Sequence, residues 1–182
     1  MKMRKMKPLL FALGLGLPGV LQAKDPVNFV VILMDDMGYG DIGPNGAIGY
    51  ETPNIDRMAA EGMLFTRFYS PQAVSGASRA GILTGCYPNR IGMWGAPYPD
   101  SKTGIHKDEE TIAEVLNKKG YACAAYGKWH LGHHKQFLPT HNGFQEYYGI
   151  PYSNDMWPNH PTAKFPDLPL IEGDSIIEYN PD

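Results

Sequence analysis

Residues 28–43 read NFVVILMDDMGYGDIG, and this stretch decides the fold. From Asn28 to Met34 the run is almost wholly apolar, without the polar alternation of a half-buried strand, and then two carboxylates follow at once. Such a run is expected of a strand buried on both faces, as in a parallel sheet covered by helices. The pattern predicts a strand over 28–34, with Asp35 and Asp36 at its carboxyl end. That is where α/β sheets gather their chemistry.

Working outward, TPNIDRMAAEG (52–62) predicts a helix, with Thr52 as N-cap, Pro53 in the first turn and Gly62 as terminator. MLFTRFYS (63–70) reads as a β-like segment, and SGASRAGILTG (75–85) as a short helix over about 77–84 that stops at Gly85. A Gly/Pro-rich loop covers 85–105. The next helix is expected to be capped near Asp108, with Ile112, Val115 and Leu116 on one face, and Gly120 leads into a strand ending at Tyr126. Alternating strands and helices imply an α/β fold, a mainly parallel sheet flanked by helices on both faces. From residue 132 onward the text is rich in Pro, Asn, His and aromatics, and it predicts no further core strand. So long a stretch without regular structure is rare in a compact domain, so the fold is expected to be incomplete in this chain.

The N-terminus bounds the rest. MKMRKMK carries Lys2, Arg4, Lys5 and Lys7, a short apolar stretch follows, and LQA ends at Ala23, the pattern of a cleaved secretory signal over residues 1–23. The expected product is periplasmic or secreted, with no membrane attachment after cleavage. Residues 24–182 would then keep 12 Lys and Arg against 19 Asp and Glu, a net charge of −7. A chain so charged is not built to hold nucleic acid by bulk attraction, so any anion must be gripped by a few placed cations. Cys86 and Cys123 make no disulfide framework and read as unpaired core residues.

Three clusters fall at expected strand ends. Asp35 and Asp36 repel each other unless a cation lies between them, and hard Ca²⁺ or Mg²⁺ suits oxygen donors. Ser75 heads a helix, where unpaired N–H groups favour an anion, and Arg79 lies one turn on along the same face. Lys128 and His130, in GKWHLG (127–132), offer a point charge and a proton relay. Two look-alikes are set aside. Gly38 to Gly43 matches G-x-G-x-x-G, but Asp35, Asp36 and Asp41 would crowd a pyrophosphate and Pro44 stands where a helix should run. Gly76 to Ala80 nearly fits the hydrolase elbow around Ser78, but Ala80 breaks it. His133, His134, His141 and His160 crowd the same half at spacings too irregular to support a transition-metal site.

DDMGYGDIG, SGASRAGILTG and GKWHLG, in this order and at these separations, resemble the sulfatase family, arylsulfatase-type and formylglycine-dependent, of the alkaline-phosphatase-like superfamily. The resemblance covers nearly all of residues 27–157, and it is to the N-terminal portion of the family. It implies hydrolysis of a sulfate ester, by default on a sulfated small molecule or glycan. It implies that Ser75, first residue of the motif Ser75-Gly76-Ala77-Ser78-Arg79, is oxidised to formylglycine, in the bacterial serine-type case by a radical maturation enzyme. One hydroxyl of the hydrated aldehyde attacks sulfur, and the other later loses its proton to expel sulfate. By the same resemblance Asp35, Asp36 and the modified Ser75 ligate Ca²⁺ rather than Mg²⁺. Arg79 holds the diol, Lys128 is shared between diol and sulfate, His130 meets the leaving proton, and Ser153 lies on the substrate side.

Departures are equally specific. The family's later Asp-Asn metal pair, second histidine and second lysine have no counterparts, and Asn154-Asp155 stands in reversed order in another region. The isolated chain is therefore expected to bind Ca²⁺ poorly and turn over little. Two rival readings stay open: a phosphoesterase of the same superfamily, and a silent glycan- or anion-binding fragment whose aromatics Trp94, Tyr98, Tyr147, Tyr152 and Trp157 stack on sugars.

Overall fold

A computed structural model describes residues 27–181. The signal reading over 1–23 lies outside these residues. The chain divides into two units after Met34. In the described part of the first, residues 27–34 form no regular element, and their side chains are exposed, Val30 to 85%. The strand expected over 28–34 is thus absent from the described sheet. A strand apolar on both faces needs a paired neighbour and a covering layer, and β1–β4 below pair only with one another.

The second unit carries α1 (Pro53–Glu61), α2 (Ser75–Thr84) and α3 (Ile112–Asn117), then β1 (Ala124–Tyr126), β2 (Glu146–Gly149), β3 (Pro169–Glu172) and β4 (Ser175–Tyr179). Thr52 caps α1 in position, with Pro53 first and Gly62 ending it, as the sequence implies. The Thr52 hydroxyl accepts from the Gly43 amide at 2.8 Å and donates to Asp56 at 2.6 Å, so it fastens the preceding turn to α1. Residues 63–70 form no strand.

α2 starts at Ser75, earlier than its expected start near 77, and ends on left-handed Gly85. α3 is capped by Thr111 rather than Asp108. Thr111 Oγ1 accepts the Glu114 amide while the Glu114 side chain accepts the Thr111 amide, a reciprocal box that outcompetes a lone aspartate. Thr111 is also buried and donates to the Asn142 carbonyl at 2.8 Å. The buried residue of α3 is Ala113, whereas Ile112 and Val115 of the predicted face are exposed.

The described sheet is mixed, in the order β1-β2-β3-β4. β1 and β2 are parallel, with Ala124, Ala125 and Tyr126 opposite Glu146, Tyr147 and Tyr148; β2–β3 and β3–β4 are antiparallel. β1 lies where the sequence puts it, and β2, β3 and β4 correct the expectation that no strand follows Tyr126. One core cluster joins Ala80 of α2, Met93, Ile105, Trp129, Leu131 and Leu138 to Tyr147 of β2 and Ile171 of β3. Trp129 donates from Nε1 to the Phe137 carbonyl at 2.7 Å and meets the Phe144 ring edge-on. A satellite cluster holds Tyr152, Met156 and Leu168. Cys86 and Cys123 are unpaired, but Cys86 is exposed rather than in the core.

Main-chain pairing continues past the ends of β1 and β2. The amides of Gly127, Trp129 and His130 donate to the carbonyls of Tyr148, Ile150 and Pro151 at 2.9, 2.9 and 3.0 Å. Trp129 and Leu131 enter the core from this segment, and Lys128 and His130 lie between and beside them. At its start the two backbones nearly touch, because a β-carbon on Gly149 would fall 1.9 Å from the Gly127 carbonyl oxygen. Only a glycine permits that approach.

Candidate active site

Three stretches far apart in sequence meet at the head of α2. Val74 is extended and provides no side-chain cap, so the first-turn N–H groups of this ten-residue helix keep their capacity to bind a further acceptor. Ser75 Oγ accepts from Arg79 Nε at 2.9 Å and lies 3.4 Å from Asp35 Oδ2, to which it donates. The same Asp35 oxygen is ion-paired with Lys128 Nζ and stands 3.6 Å from Arg79 Nη2. Arg79 Nη1 donates to the Lys128 carbonyl, and Lys128 Nζ is 3.4 Å from Ser153 Oγ. Asp35, Ser75, Arg79, Lys128 and Ser153 are therefore one connected cluster. Both cations are largely buried, with side chains about an eighth exposed.

Asp36 takes no part in these contacts. It is exposed and sits in the left-handed region (φ 56°), which aspartate tolerates better than most residues. Ser78, the serine of the rejected elbow, faces away from the cluster and donates to the Gln72 carbonyl at 2.7 Å. The structure thus separates the two serines of the motif.

His130 is 2% exposed, in left-handed backbone (φ 60°), with neither ring nitrogen hydrogen-bonded. Its pKa is pushed down to about 4, first by burial and then by the charges of Lys128 and Arg79; the Pro97 backbone approaches the ring and opposes this without completing a hydrogen bond. The imidazole is therefore neutral near pH 7, with both ring nitrogens unpartnered. Unfolded, a histidine titrates near 6.5. Between the two values the unfolded chain binds a proton that the folded chain refuses, so the stability is whole above pH 6.5 and is lost as pH falls towards 4. The loss is roughly 3 kcal/mol. Urea unfolding at pH 7 and pH 4 will show it in the wild type, and a His130→Gln variant will show a shallower pH dependence; parallel curves would contradict this assignment.

Burial lowers the pKa of Lys128, with the Asp155 carboxylate acting against it. Burial also lowers that of Arg79, against the influence of Tyr147. Tyr147 is itself buried, its hydroxyl without a partner and its pKa raised by burial. Asp155 and Tyr147 are additions to the expected site residues, since the sequence marks Asp155 only as half of a reversed Asp-Asn pair and Tyr147 only among sugar-stacking aromatics. Asp155 could have been found as the acid two residues after Ser153, but nothing in EYYG marks which tyrosine turns inward. Gly76 is a third. A β-carbon there would meet the Gly95 carbonyl at 2.7 Å, the His130 carbonyl at 3.0 Å and Pro97 at 3.0 Å, so the 95–97 loop and the His130 backbone close directly over the helix start.

Among the described residues no three His, Cys, Asp or Glu side chains are grouped to hold a metal ion. Asp35, Asp36 and Ser75 offer hard oxygen donors, a set that fits Ca²⁺ or Mg²⁺ in kind and supplies part of a shell. The other histidines are dispersed: His133 packs on His134 with ring centroids 4.3 Å apart, His141 bonds Asp174 at 3.0 Å, and His160 meets Phe165 edge-on.

The family model for Sulfatase matches residues 27–173. Arylsulfatase A of Bos taurus is 44% identical over 167 residues, which cover 90% of this chain and 33% of that protein. N-acetylgalactosamine-6-sulfatase of Rattus norvegicus is 46% identical over 171 residues, covering 86% of this chain and 32% of that one. Among solved structures, Ps i-CgsB in complex with k-i-k-neocarrahexaose superposes with a TM-score of 0.63 at 39% identity, over 70% of this chain and 29% of that chain. The chain spans about a third of the length of these relatives.

Proposed function

Since the chain belongs to the sulfatase family, whose solved members share the alkaline-phosphatase-like α/β fold, we propose that it carries the nucleophile and anion-gripping part of a site that hydrolyses sulfate esters. The observation that carries this reading is the convergence of Ser75, Arg79 and Lys128 on one Asp35 oxygen, with Arg79 also donating to Ser75, at an uncapped helix start. A serine hydroxyl, two buried cations and helix N–H groups suit one tetrahedral anion. Residue 75 works as formylglycine, whose hydrate supplies two hydroxyls on one carbon. One attacks sulfur as the ester's alcohol leaves, and the other then loses its proton so that the aldehyde re-forms and sulfate is expelled. The oxidation removes two hydrogens from Ser75 and is the work of a radical maturation enzyme.

Arg79 orients the oxygen on residue 75, to which Nε already donates. Lys128 lies between Asp35 and Ser153 and is placed to bind a sulfate oxygen, with Ser153 beside it on the substrate side. His130, neutral and unpartnered, takes the proton released at residue 75. Asp35 and Asp36, with residue 75, would hold Ca²⁺, Mg²⁺ being the lesser candidate; when bound it supplies Lewis-acid polarisation of a sulfate oxygen. The substrate is a sulfated sugar, in keeping with the relative named for N-acetylgalactosamine 6-sulfate and the neighbour crystallised with neocarrahexaose. Residues 24–182 are read as the N-terminal part of the catalytic domain, exported to the periplasm or beyond by residues 1–23.

The test is chemical. Produced alongside a serine-type maturation enzyme, the peptide containing residue 75 will be lighter by two hydrogens, and the protein will release 4-nitrophenol from its sulfate ester faster than from its phosphate ester. An intact serine in material from the native organism, with phosphate preferred, establishes the phosphoesterase instead.

A further inference from the structure

Of the aromatic side chains near the site, Tyr147 and Tyr152 are core residues. Trp94 is the opposite, with 75% of its surface in solvent. It is not on a loose loop. Met93, the residue before it, is buried in the main core, and Gly95, the residue after it, packs its carbonyl against Gly76, immediately beside Ser75. Three residues on, Pro97 rests on the same Gly76 and approaches the His130 ring. Tyr98 then stacks on Phe165 with centroids 6.2 Å apart and planes 14° apart, and Phe165 is met edge-on by His160. The indole is therefore held out to water on a backbone clamped at both sides, one residue from the helix turn that presents Ser75.

A large exposed aromatic on an anchored loop contributes little to packing and is a frequent feature of binding surfaces. Its flat, electron-rich face complements the C–H face of a pyranose. The cation cluster at the head of α2, where the Gly95 carbonyl packs on Gly76, complements a sulfate and nothing else of the sugar. We propose that Trp94 is the stacking platform for the sugar ring that bears the sulfate ester, with the Tyr98–Phe165 pair holding the far side of its loop. This rests on the reading of the Ser75 cluster as the sulfate site and adds the ring that the cluster itself does not touch.

The experiment uses the full chain produced without the maturation enzyme, so that bound sugar is not turned over. Two probes are titrated calorimetrically, N-acetylgalactosamine 6-sulfate and inorganic sulfate, against wild type, Trp94→Ala and Trp94→Phe. Trp94→Ala will weaken the sugar sulfate roughly five- to tenfold and leave inorganic sulfate unchanged, while Trp94→Phe will return to within about twofold of wild type. Thermal midpoints will be equal, because the side chain is exposed. Undiminished sugar binding by Trp94→Ala, with inorganic sulfate still bound, overturns the platform and leaves the sulfate site standing. Equal weakening of both probes marks a structural effect and also overturns it. If wild type binds neither probe, the sulfate reading itself fails and the platform falls with it.

Discussion

Ser75→Ala will bring the rate on a sulfate ester, already low in this chain alone, down to the uncatalysed background while leaving the fold intact. The argument for so large a kinetic effect with so small a structural one is geometric. Ser75 Oγ is the atom on which Arg79 and Asp35 converge, so deleting it removes the nucleophile and the site of its oxidation together. Structurally, Ser75 is the half-buried first residue of α2, and no part of that helix depends on its hydroxyl as a cap. Losing its hydrogen bonds costs about 1 kcal/mol, and alanine's better helix propensity offsets part of that. Ser78→Ala is the matching control, since that hydroxyl faces Gln72 and its loss should change the rate less than about threefold. Rates on 4-nitrophenyl sulfate, read beside thermal midpoints, check both variants. A Ser75→Ala enzyme with substantial turnover, or one that merely unfolds, would falsify the assignment.

The second large effect is on stability. Gly149→Ala will destabilise the chain by at least about 3 kcal/mol. The new β-carbon would lie 1.9 Å from the Gly127 carbonyl oxygen and 2.6 Å from its carbon, so no rotamer change relieves the clash. One of the two backbones must move, and Lys128 follows directly on Gly127. Gly127 is in left-handed conformation (φ 95°) and cannot readily be displaced to another basin while its amide stays on the Tyr148 carbonyl. The urea midpoint will fall sharply, and the remaining folded fraction will lose its grip on anions. A midpoint equal to wild type would show that the two strands do not approach as described.

Legibility in the sequence followed how local the deciding physics is. Helices α1 and α2 were readable because their ends are marked within a few residues: Thr52-Pro53 and Gly62 for one, Gly85 for the other. The cap of α3 is readable in principle, since Thr111 and Glu114 stand at box spacing, but Asp108, the first acid of an acidic run, competes with it as a cap candidate. The strands were another matter. The 28–34 run has the composition of a buried strand, but a strand is made by its neighbours, and composition does not say whether they are there. Conversely, β2 is four residues long, β3 opens on Pro169 and β4 is exposed throughout, so none shows the apolar run or clean alternation that marks a strand. Within the site, Asp35, Ser75, Arg79 and Lys128 are marked by motif spacing and Ser153 only by the family resemblance, and the structure brings the five side chains together. Gly76, Tyr147 and Asp155 were not, because their part depends on which backbone or charge lies across from them.

The guanidinium of Arg79 touches three separately coded places at once: the side chains of residues 75 and 35, and the main chain of residue 128. A planar fork is a jig with fixed tines, and an ammonium on a flexible stem can reach one of the three but not hold all to a common plane. Inheritance is constrained accordingly. Drift in any one stretch shifts the alignment of the other two, so these pieces of chain must change in concert or stay as they are.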